Sequence, residues 1–338
     1  MDRVDKPLAL TLGDPAGIGP DITLLAFAAR RALAIPPFVL IGDPDVLAAR
    51  AHTLGLALDI EPIGDVGEAP SMFVSALPVF PLPVTGEVIA GKPTQTAAQA
   101  VQQSIETAVT LVRSGGAAAV VTNPISKAVL THSGFGFPGH TEYLASLAGL
   151  APSDVGMMLV GGDLKVVPVT IHIALKDVVG ALDKERIVKT LSIVAREVSR
   201  YFGVARPRIA VAGLNPHAGE DGTMGREEID IIVPAIEAAR RQGLYVTGPH
   251  SADTLFHAEA RQTYDVVVAM YHDQALIPVK TLAFDTGVNV TLGLPFVRTS
   301  PDHGTAFALA GSGKASPHSL IAALRLAETM RRNADAEH

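Results

Sequence analysis

The 338 residues predict an α/β protein built on a largely parallel sheet. Three observations lead there. Short β-branched runs alternate with longer helical stretches along the chain. The runs are apolar on both faces, which suits strands covered by helices above and below. No internal repeat, low-complexity tract or obvious linker interrupts the alternation.

The elements follow in order. Residues 8–12 read as a strand, 13–19 as a glycine-rich turn and 20–34 as a helix. A second strand spans 38–41, with a helix from about Pro44. An Ala/Val-rich helix over 95–113 leads to a strand at 118–122. Later strands fall at 165–170, 208–212 and 265–270, with helices over 183–201 and 227–242. The polar residues 334–338 read as a frayed tail. A chain of this length suggests two domains or one large α/β unit.

Composition narrows the function. Hydrophobic residues make up 48% of the chain, enough for a substantial core. The net charge is −7, and Lys and Arg are scattered, which argues against nucleic acid as a partner. With no Cys, a bound metal must be held by His, Asp or Glu. The uncharged stretch 69–86 holds Pro70, Pro78, Pro81 and Pro83, which forbid a membrane helix. Asp2, Asp5 and the early Gly/Pro turn do not resemble a signal peptide. The expectation is a cytoplasmic protein that does not bind membranes.

In open α/β sheets ligands gather where strands end. Three strands are followed closely by histidine: VVPVTIHIAL places His172, RIAVAGLNPHAGE places His217, and YDVVVAMYHDQ places His272 beside Asp273. A single such histidine is usually a hydrogen-bonded structural residue. Three at equivalent ends, without cysteine, suit Zn²⁺, Co²⁺ or another borderline cation with a coordination position left open. The spacings of 45 and 55 residues match no compact metal motif.

Glycine loops suggest anion sites. TLGDPAGIGPD carries Gly13, Asp14 and Gly17 between a strand and a helix, where a helix amino end favours an anion. It is equally an ordinary strand-to-helix turn, and neither GxGxxG nor GxxxxGK[ST] occurs. FPGHTEYLASLAG puts His140 and Thr141 at a helix start, with Thr141 as N-cap. Lys280, Asn289 and Arg298 lie nine residues apart among glycines and apolar residues, as an anion clamp or as salt-bridged structural groups. Asp302, His303, Gly304 and Thr305 precede a helical pattern, another amino end for a phosphate or adenosine. In TNPISKAVL, Asn123 and Lys127 can touch a ligand or simply turn the chain, with the turn preferred.

Together the stretches GDPAGIGP, TNPISK, GHTEYLA, TIHIAL, NPHAGE, MGREEID, YHDQALIPVK and GVNVTLGLPFVRTSPDHGTA resemble the 4-hydroxythreonine-4-phosphate dehydrogenase family. They run in the family's order from residue 13 to about 311. The resemblance implies two α/β/α domains around a cleft, like isocitrate and isopropylmalate dehydrogenases, without a standard Rossmann fingerprint. By analogy residues 1–130 and 281–338 form the first domain, on the NAD side, and 131–280 the second, with the metal ligands and the dimer contact. It implies a divalent metal (Zn²⁺, Mg²⁺ or Co²⁺) on His172, His217 and His272. Substrate contacts would come from His140, Thr141, Lys280, Asn289 and Arg298. Asp273, Asp253 and Lys280 are candidates for catalysis. Asp302, His303, Gly304 and Thr305 would take the adenosine end of NAD or NADP, with Gly13, Asp14 and Gly17 nearby. The family is homodimeric, with the active site at the interface: His172 from one subunit, His217 and His272 from the other. The substrate would be a small phosphorylated hydroxy-amino acid.

Near relatives oxidise phosphorylated erythronate or threonate, or an aromatic dihydrodiol. TLGLP and ALAGSGKA look closer to the vitamin B6 branch. Outside the family, a metal-dependent phosphatase using the same three histidines and a non-catalytic metabolite sensor are the rivals.

Overall fold

A computed structural model describes residues 6–132, 134–137 and 139–336. The chain forms two compact units. Residues 1–152 and 294–332 make the first, and residues 153–293 and 333–338 the second. These boundaries fall later than the 130/131 and 280/281 expected from sequence. The helices over Lys127–His132 and His140–Leu147 belong to the first unit. There the Tyr143 hydroxyl bonds Glu106 Oε1 at 2.6 Å.

Among the described residues, twelve strands follow in chain order. The first unit holds β1 (Leu8–Thr11), β2 (Phe38–Gly42), β3 (Ile60–Pro62), β4 (Leu77–Pro81) and β5 (Val120–Val121). The second holds β6 (Gly156–Gly161), β7 (Leu164–Pro168), β8 (Arg208–Ala212), β9 (Tyr245–His250), β10 (Val266–Ala269) and β11 (Val288–Leu292). The chain then returns to the first unit with β12 (Arg298–Pro301). The order in the first unit is β3-β4-β2-β1-β5-β12, and every pairing there is parallel. In the second it is β11-β6-β7-β10-β8-β9. There β6 runs antiparallel to both neighbours, and the pairings of β7, β10, β8 and β9 are parallel. The alternation of the sequence is thus an α/β fold of parallel sheets, with one reversed strand that periodicity did not show.

Local chemistry explains the elements. All of β1 and β2 is buried, so both faces are covered, as the two-sided apolar runs require. Val266, Val267 and Val268 of β10 are fully buried, each contributing roughly 1.5–3 kcal/mol of burial. The helix Pro44–Thr53 starts where Asp43 accepts from Asp45 N at 2.9 Å, with Pro44 in the first turn. The helix Lys184–Phe202 starts on Asp183 and stops at Gly203, whose φ of 67° suits glycine. The first helix, Gly19–Ala28, ends six residues before the expected 34, and turns follow it. The last helix, His318–Ala336, runs through the stretch expected to fray, and residues 337 and 338 lie outside the described residues.

Candidate active site

In the second unit, tertiary contacts tie together the carboxyl ends of β7, β8 and β10. Thr170, past β7, donates its hydroxyl to Met270 O at 2.8 Å. The buried Gln274 accepts from Met270 N at 2.7 Å and donates to Gly213 O at 2.7 Å. These bonds link the segments that bear His172, His272 and His217. The His172 and His272 rings stand 5.7 Å apart, centre to centre. Two imidazoles on one tetrahedral Zn²⁺, at Zn–N of about 2.0–2.1 Å, would place their centres roughly 5 Å apart, so the pair suits a shared cation.

Both rings line a cavity of about 290 Å³ with Ile171, Leu175, Val178 and Tyr271. Asp273 Oδ1 lies 2.7 Å from His272 Nδ1. In the Nδ1–H tautomer this bond leaves the Nε2 lone pair for a cation, the usual carboxylate support of a metal-bound imidazole. The sequence resemblance assigns His172 to one subunit and His272 to the other, yet within this chain the two stand together.

His217 occupies a separate turn. Residues His217 to Asp221 all have positive φ, from 42° to 81°, and four of the five are not glycine. Each non-glycine there costs on the order of 1–2 kcal/mol, so the surroundings must impose the shape. The turn packs against the turn Ala252–Thr254. Asp253 lies there, fully exposed, with a carboxyl held below its ordinary range mainly by the Ser251 hydroxyl at 2.6 Å and also by nearby His217. A carboxylate held low is a weak proton acceptor near neutral pH. Among the described residues, no three His, Cys, Asp or Glu side chains gather closely enough to hold a metal within one chain. The structure brings together two of the three expected imidazoles and not the third.

The other second-unit candidates are Asn289 and Lys280. Asn289 lies on β11 opposite Leu159, and its Oδ1 is buried without a hydrogen-bond partner among the described residues. A buried orphan acceptor calls for a donor from outside the chain. Lys280 lies in the helix His272–Ala283, with Nζ 5.8 Å from the centre of the Phe284 ring.

The first unit gathers positive charge. Arg298 opens β12, is 2% exposed, and donates from Nη2 to Thr122 Oγ1 at 2.6 Å. Burial pulls its guanidinium below its ordinary range. His140 begins the helix His140–Leu147, and its Nε2 is buried without a hydrogen-bond partner among the described residues. Burial first, then Arg298 and Lys127, push its imidazole well below 6.5, so it is neutral near pH 7. The N-cap is Gly139 rather than Thr141, so no side chain caps this amino end. A Cβ at Gly139 would stand 3.6 Å from Lys127 Nζ and 3.4 Å from Glu142 Oε2. Lys127, set aside at the sequence level, thus joins His140, Thr141 and Arg298 at an uncapped helix start. The signal that would have found it is its position at the start of the helix that follows β5. Asn123 is anchored through Nδ2, which donates to Thr11 O at 3.0 Å and to Thr23 Oγ1 at 2.9 Å, while its Oδ1 is buried without a hydrogen-bond partner among the described residues.

The first glycine loop is a scaffold. Asp14 N bonds Pro124 O, Ala16 N bonds Asp14 Oδ1, Gly17 N bonds Asp14 O, and Ile18 N bonds Thr305 O. Those N–H groups, which an anion would need, are committed within the protein. Burial raises the Asp14 carboxyl, opposed by its bond from Ala16. Arg50, unnoticed in the sequence, clamps the loop through Gly17 O and Pro15 O and pairs with buried Asp21. Gly17 packs closely on the Thr305 segment, since a Cβ there would stand 3.0 Å from Thr305 O and the neighbour would have to give way. The 13–17 loop and Thr305 therefore do meet. The helix expected after Thr305 is only the single turn Phe307–Leu309, too short to offer an anion-binding end. Around Gly304 the space is open.

The folded units and these clusters define an α/β protein with candidate ligand sites and no glycine-fingerprint nucleotide loop in its sequence. Comparison with known proteins makes this specific. The family model described as pyridoxal phosphate biosynthetic protein PdxA matches residues 34–327. A 4-hydroxythreonine-4-phosphate dehydrogenase of Methylorubrum populi is 56% identical, over 98% of this chain and 96% of that protein. The crystal structure of 4-hydroxythreonine-4-phosphate dehydrogenase from Klebsiella pneumoniae superposes with a TM-score of 0.87 at 40% identity, over 96% of this chain and 99% of that one. A terephthalate 1,2-cis-dihydrodiol dehydrogenase structure from Burkholderia xenovorans is more distant, at 31% identity and a TM-score of 0.64, over 96% of this chain and 98% of that one. The chain belongs to the PdxA family and is a dehydrogenase. Membership in a dehydrogenase family sets the phosphatase and sensor readings aside. Among the described residues, no helix is long and apolar enough to cross a membrane.

Proposed function

We propose that the chain oxidises the C3 hydroxyl of 4-phosphooxy-L-threonine to give 2-amino-3-oxo-4-phosphooxybutanoate, which loses CO₂ to give 3-amino-2-oxopropyl phosphate. The observation that carries this reading is the His172–His272 pair in its cavity, backed by Asp273. Two imidazoles with ring centres 5.7 Å apart suit a divalent cation, with His217 as third donor in the assembled enzyme. When bound, a divalent cation would favour the alkoxide of the substrate and NAD or NADP would accept the hydride, so the oxidation yields a reduced nucleotide and a proton, and the decarboxylation takes a proton up at carbon.

The chain's own residues do the rest. Arg298 and Lys127 neutralise a substrate anion, the phosphate being the best match to a forked guanidinium. His140, kept neutral by its buried and basic surroundings, offers a hydrogen bond and no competing charge. Asn289 Oδ1, buried and unpartnered, accepts a hydrogen bond from the substrate's ammonium or hydroxyl. Asp273 orients His272 and is the better placed carboxylate to take the hydroxyl proton, since Asp253 is held low. Lys280 supplies a second point charge. The loop 302–305 would receive the adenosine end around Gly304. A homodimer fits the exposed apolar side chains of the second unit: Leu175 at 70%, Ile277 at 63% and Phe284 at 74%.

The test is a substrate panel read at the NADH absorbance band. 4-Phosphooxy-L-threonine should turn over at least tenfold more efficiently than 4-phospho-D-erythronate. Equal or reversed efficiency would make the enzyme a sugar-acid dehydrogenase. Stripping the metal with a chelator should abolish turnover, and Zn²⁺, Co²⁺ or Mg²⁺ should restore it.

A further inference from the structure

The conformation that presents His217 is not one the sequence favours locally. Four non-glycine residues, His217, Ala218, Glu220 and Asp221, adopt left-handed backbone in an unbroken run through Gly219. Such a run persists only where surrounding groups fix it. The groups that do so come from the MGREEID stretch, which carries no role so far.

Glu228 is 2% exposed. Its Oε1 accepts from Leu214 N at 2.7 Å and from Asn215 N at 2.8 Å. Its Oε2 accepts from Asn215 Nδ2 at 2.9 Å. Glu227 Oε2 takes the other hydrogen of the same amide at 2.7 Å. The carboxyl also lies under the turn itself, where a Cβ on Gly219 would meet Glu228 Oε2 at 2.6 Å. Gly219 has a φ of 81°, so both space and backbone demand glycine there. From the other side, Gln274 bonds Gly213 O at 2.7 Å, and Gln274 lies in the same helix as His272. The segment Gly213–Asn215 is therefore gripped from two sides, and the strained turn leaves it directly.

We propose that Glu228, with Asn215, is the positioning residue for His217: it holds the left-handed turn at the angle that lets this imidazole serve as a metal ligand. This rests on the reading of His217 as a donor. Glu228 itself is buried beneath the turn and acts on the cation only through the backbone it holds. The chemistry favours a carboxylate because one oxygen must accept two N–H groups while the other accepts an amide. The glutamine of the Glu228→Gln variant presents an N–H₂ group in place of one of these acceptors, and one set of donors then faces donors.

The test uses the full chain with Co²⁺ alone as probe, followed by calorimetric titration and by the visible absorption of the bound ion. Glu228→Gln should lower Co²⁺ affinity by about 10–100-fold, the usual loss when support of a ligand is removed. Its visible spectrum should also change, while KM for 4-phosphooxy-L-threonine stays within about twofold and kcat falls. His217→Ala is the reference. If His217→Ala weakens Co²⁺ binding and a folded Glu228→Gln binds it with parental affinity and spectrum, the positioning role is wrong and the ligand reading stands. If His217→Ala itself binds Co²⁺ like the parent, the ligand reading fails and takes this inference with it. Should Glu228→Gln not fold, Asn215→Ala replaces it, because that variant keeps both backbone bonds to Glu228. An affinity loss of about tenfold or more in Asn215→Ala supports the proposal, and parental affinity overturns it.

Discussion

The two candidate sites treat charge in opposite ways. In the first unit, Arg298 is 2% exposed and His140 Nε2 is sealed off, while Lys127 stands exposed at the rim. In the second, His172 and His217 are exposed, and the carboxylates beside the imidazoles, Asp273 and Asp253, face solvent. A buried guanidinium is stabilised most by a permanent anion, so the first site is built to select charge. Exposed imidazoles compete with protons and water, so the second site gains strength only as further donors and ligand close around it. On the proposed reading, the groups that face the phosphate, Arg298, His140 and Lys127, all lie in one folded unit. On the same reading the cation site is only begun in the second unit, with two rings paired and the third imidazole on a strained turn.

Several measurements can break or sharpen that contrast. The largest effect is expected from replacing His217 and His272 together by Ala. Turnover should fall by about 10³-fold or more and bound metal should be lost, because a three-donor site cannot survive on one imidazole. Full turnover with full metal content in that variant would show that the exposed histidines are ordinary surface groups. Next comes Arg298→Ala, which should raise KM for the phosphorylated substrate by about 100-fold, within the range for losing a buried charge-assisted contact. An unchanged KM would leave Arg298 as a structural partner of Thr122 only. Lys127→Ala should raise KM by about tenfold with little change in the unfolding midpoint, as fits a point charge at the rim of the site. If Lys127→Ala destabilises the fold but leaves KM alone, its place beside Gly139 is packing.

The smallest effect concerns pH. His140 has a depressed folded value, so it stays neutral in the fold while the unfolded chain takes up a proton as pH falls below about 6.5. The sign follows: the unfolded state binds more protons, so this group's contribution is fully present above that pH and is lost on acidification. His140→Asn should flatten the loss of stability below pH 6.5, by up to about 1.4 kcal/mol per pH unit, as seen in denaturant midpoints across pH. Parallel curves for the two proteins would mean that His140 is not held neutral.

Much of the fold was legible where local pattern and burial agree. The strand 208–212 was placed at its observed bounds, and the strands 8–12 and 38–41 each lie within one residue of theirs. The strands that escaped notice are instructive. β12 reads RTSP, polar and ending in proline, yet all four residues are buried. Its polarity is satisfied through space, Thr299 Oγ1 donating to Ala323 O at 2.9 Å and Arg298 to Thr122. β4 reads LPVFP, where prolines disguise a strand whose first three residues are buried. β6 and β11 are apolar but pair antiparallel, and no single-strand period reports direction. At the sites, the histidines that follow strands were visible as positions. Lys127 was visible too, but the turn reading was preferred for it, and Arg50 was not singled out, because nothing near them in sequence says what faces them.

By itself, the sequence determined the α/β class, the strand-end placement of His172, His217 and His272, and the family, because periodicity, turn chemistry and motif order are properties of neighbours along the chain. Only the tertiary structure decided which of these residues meet. It set His172 against His272 across 100 positions, drew Lys127 and His140 toward Arg298, committed the N–H groups of the first glycine loop within the fold, and bent the His217 turn over Glu228. The physical reason is that burial, strain and electrostatic reach depend on distance in space, and a linear pattern does not encode that distance until the sheets have formed.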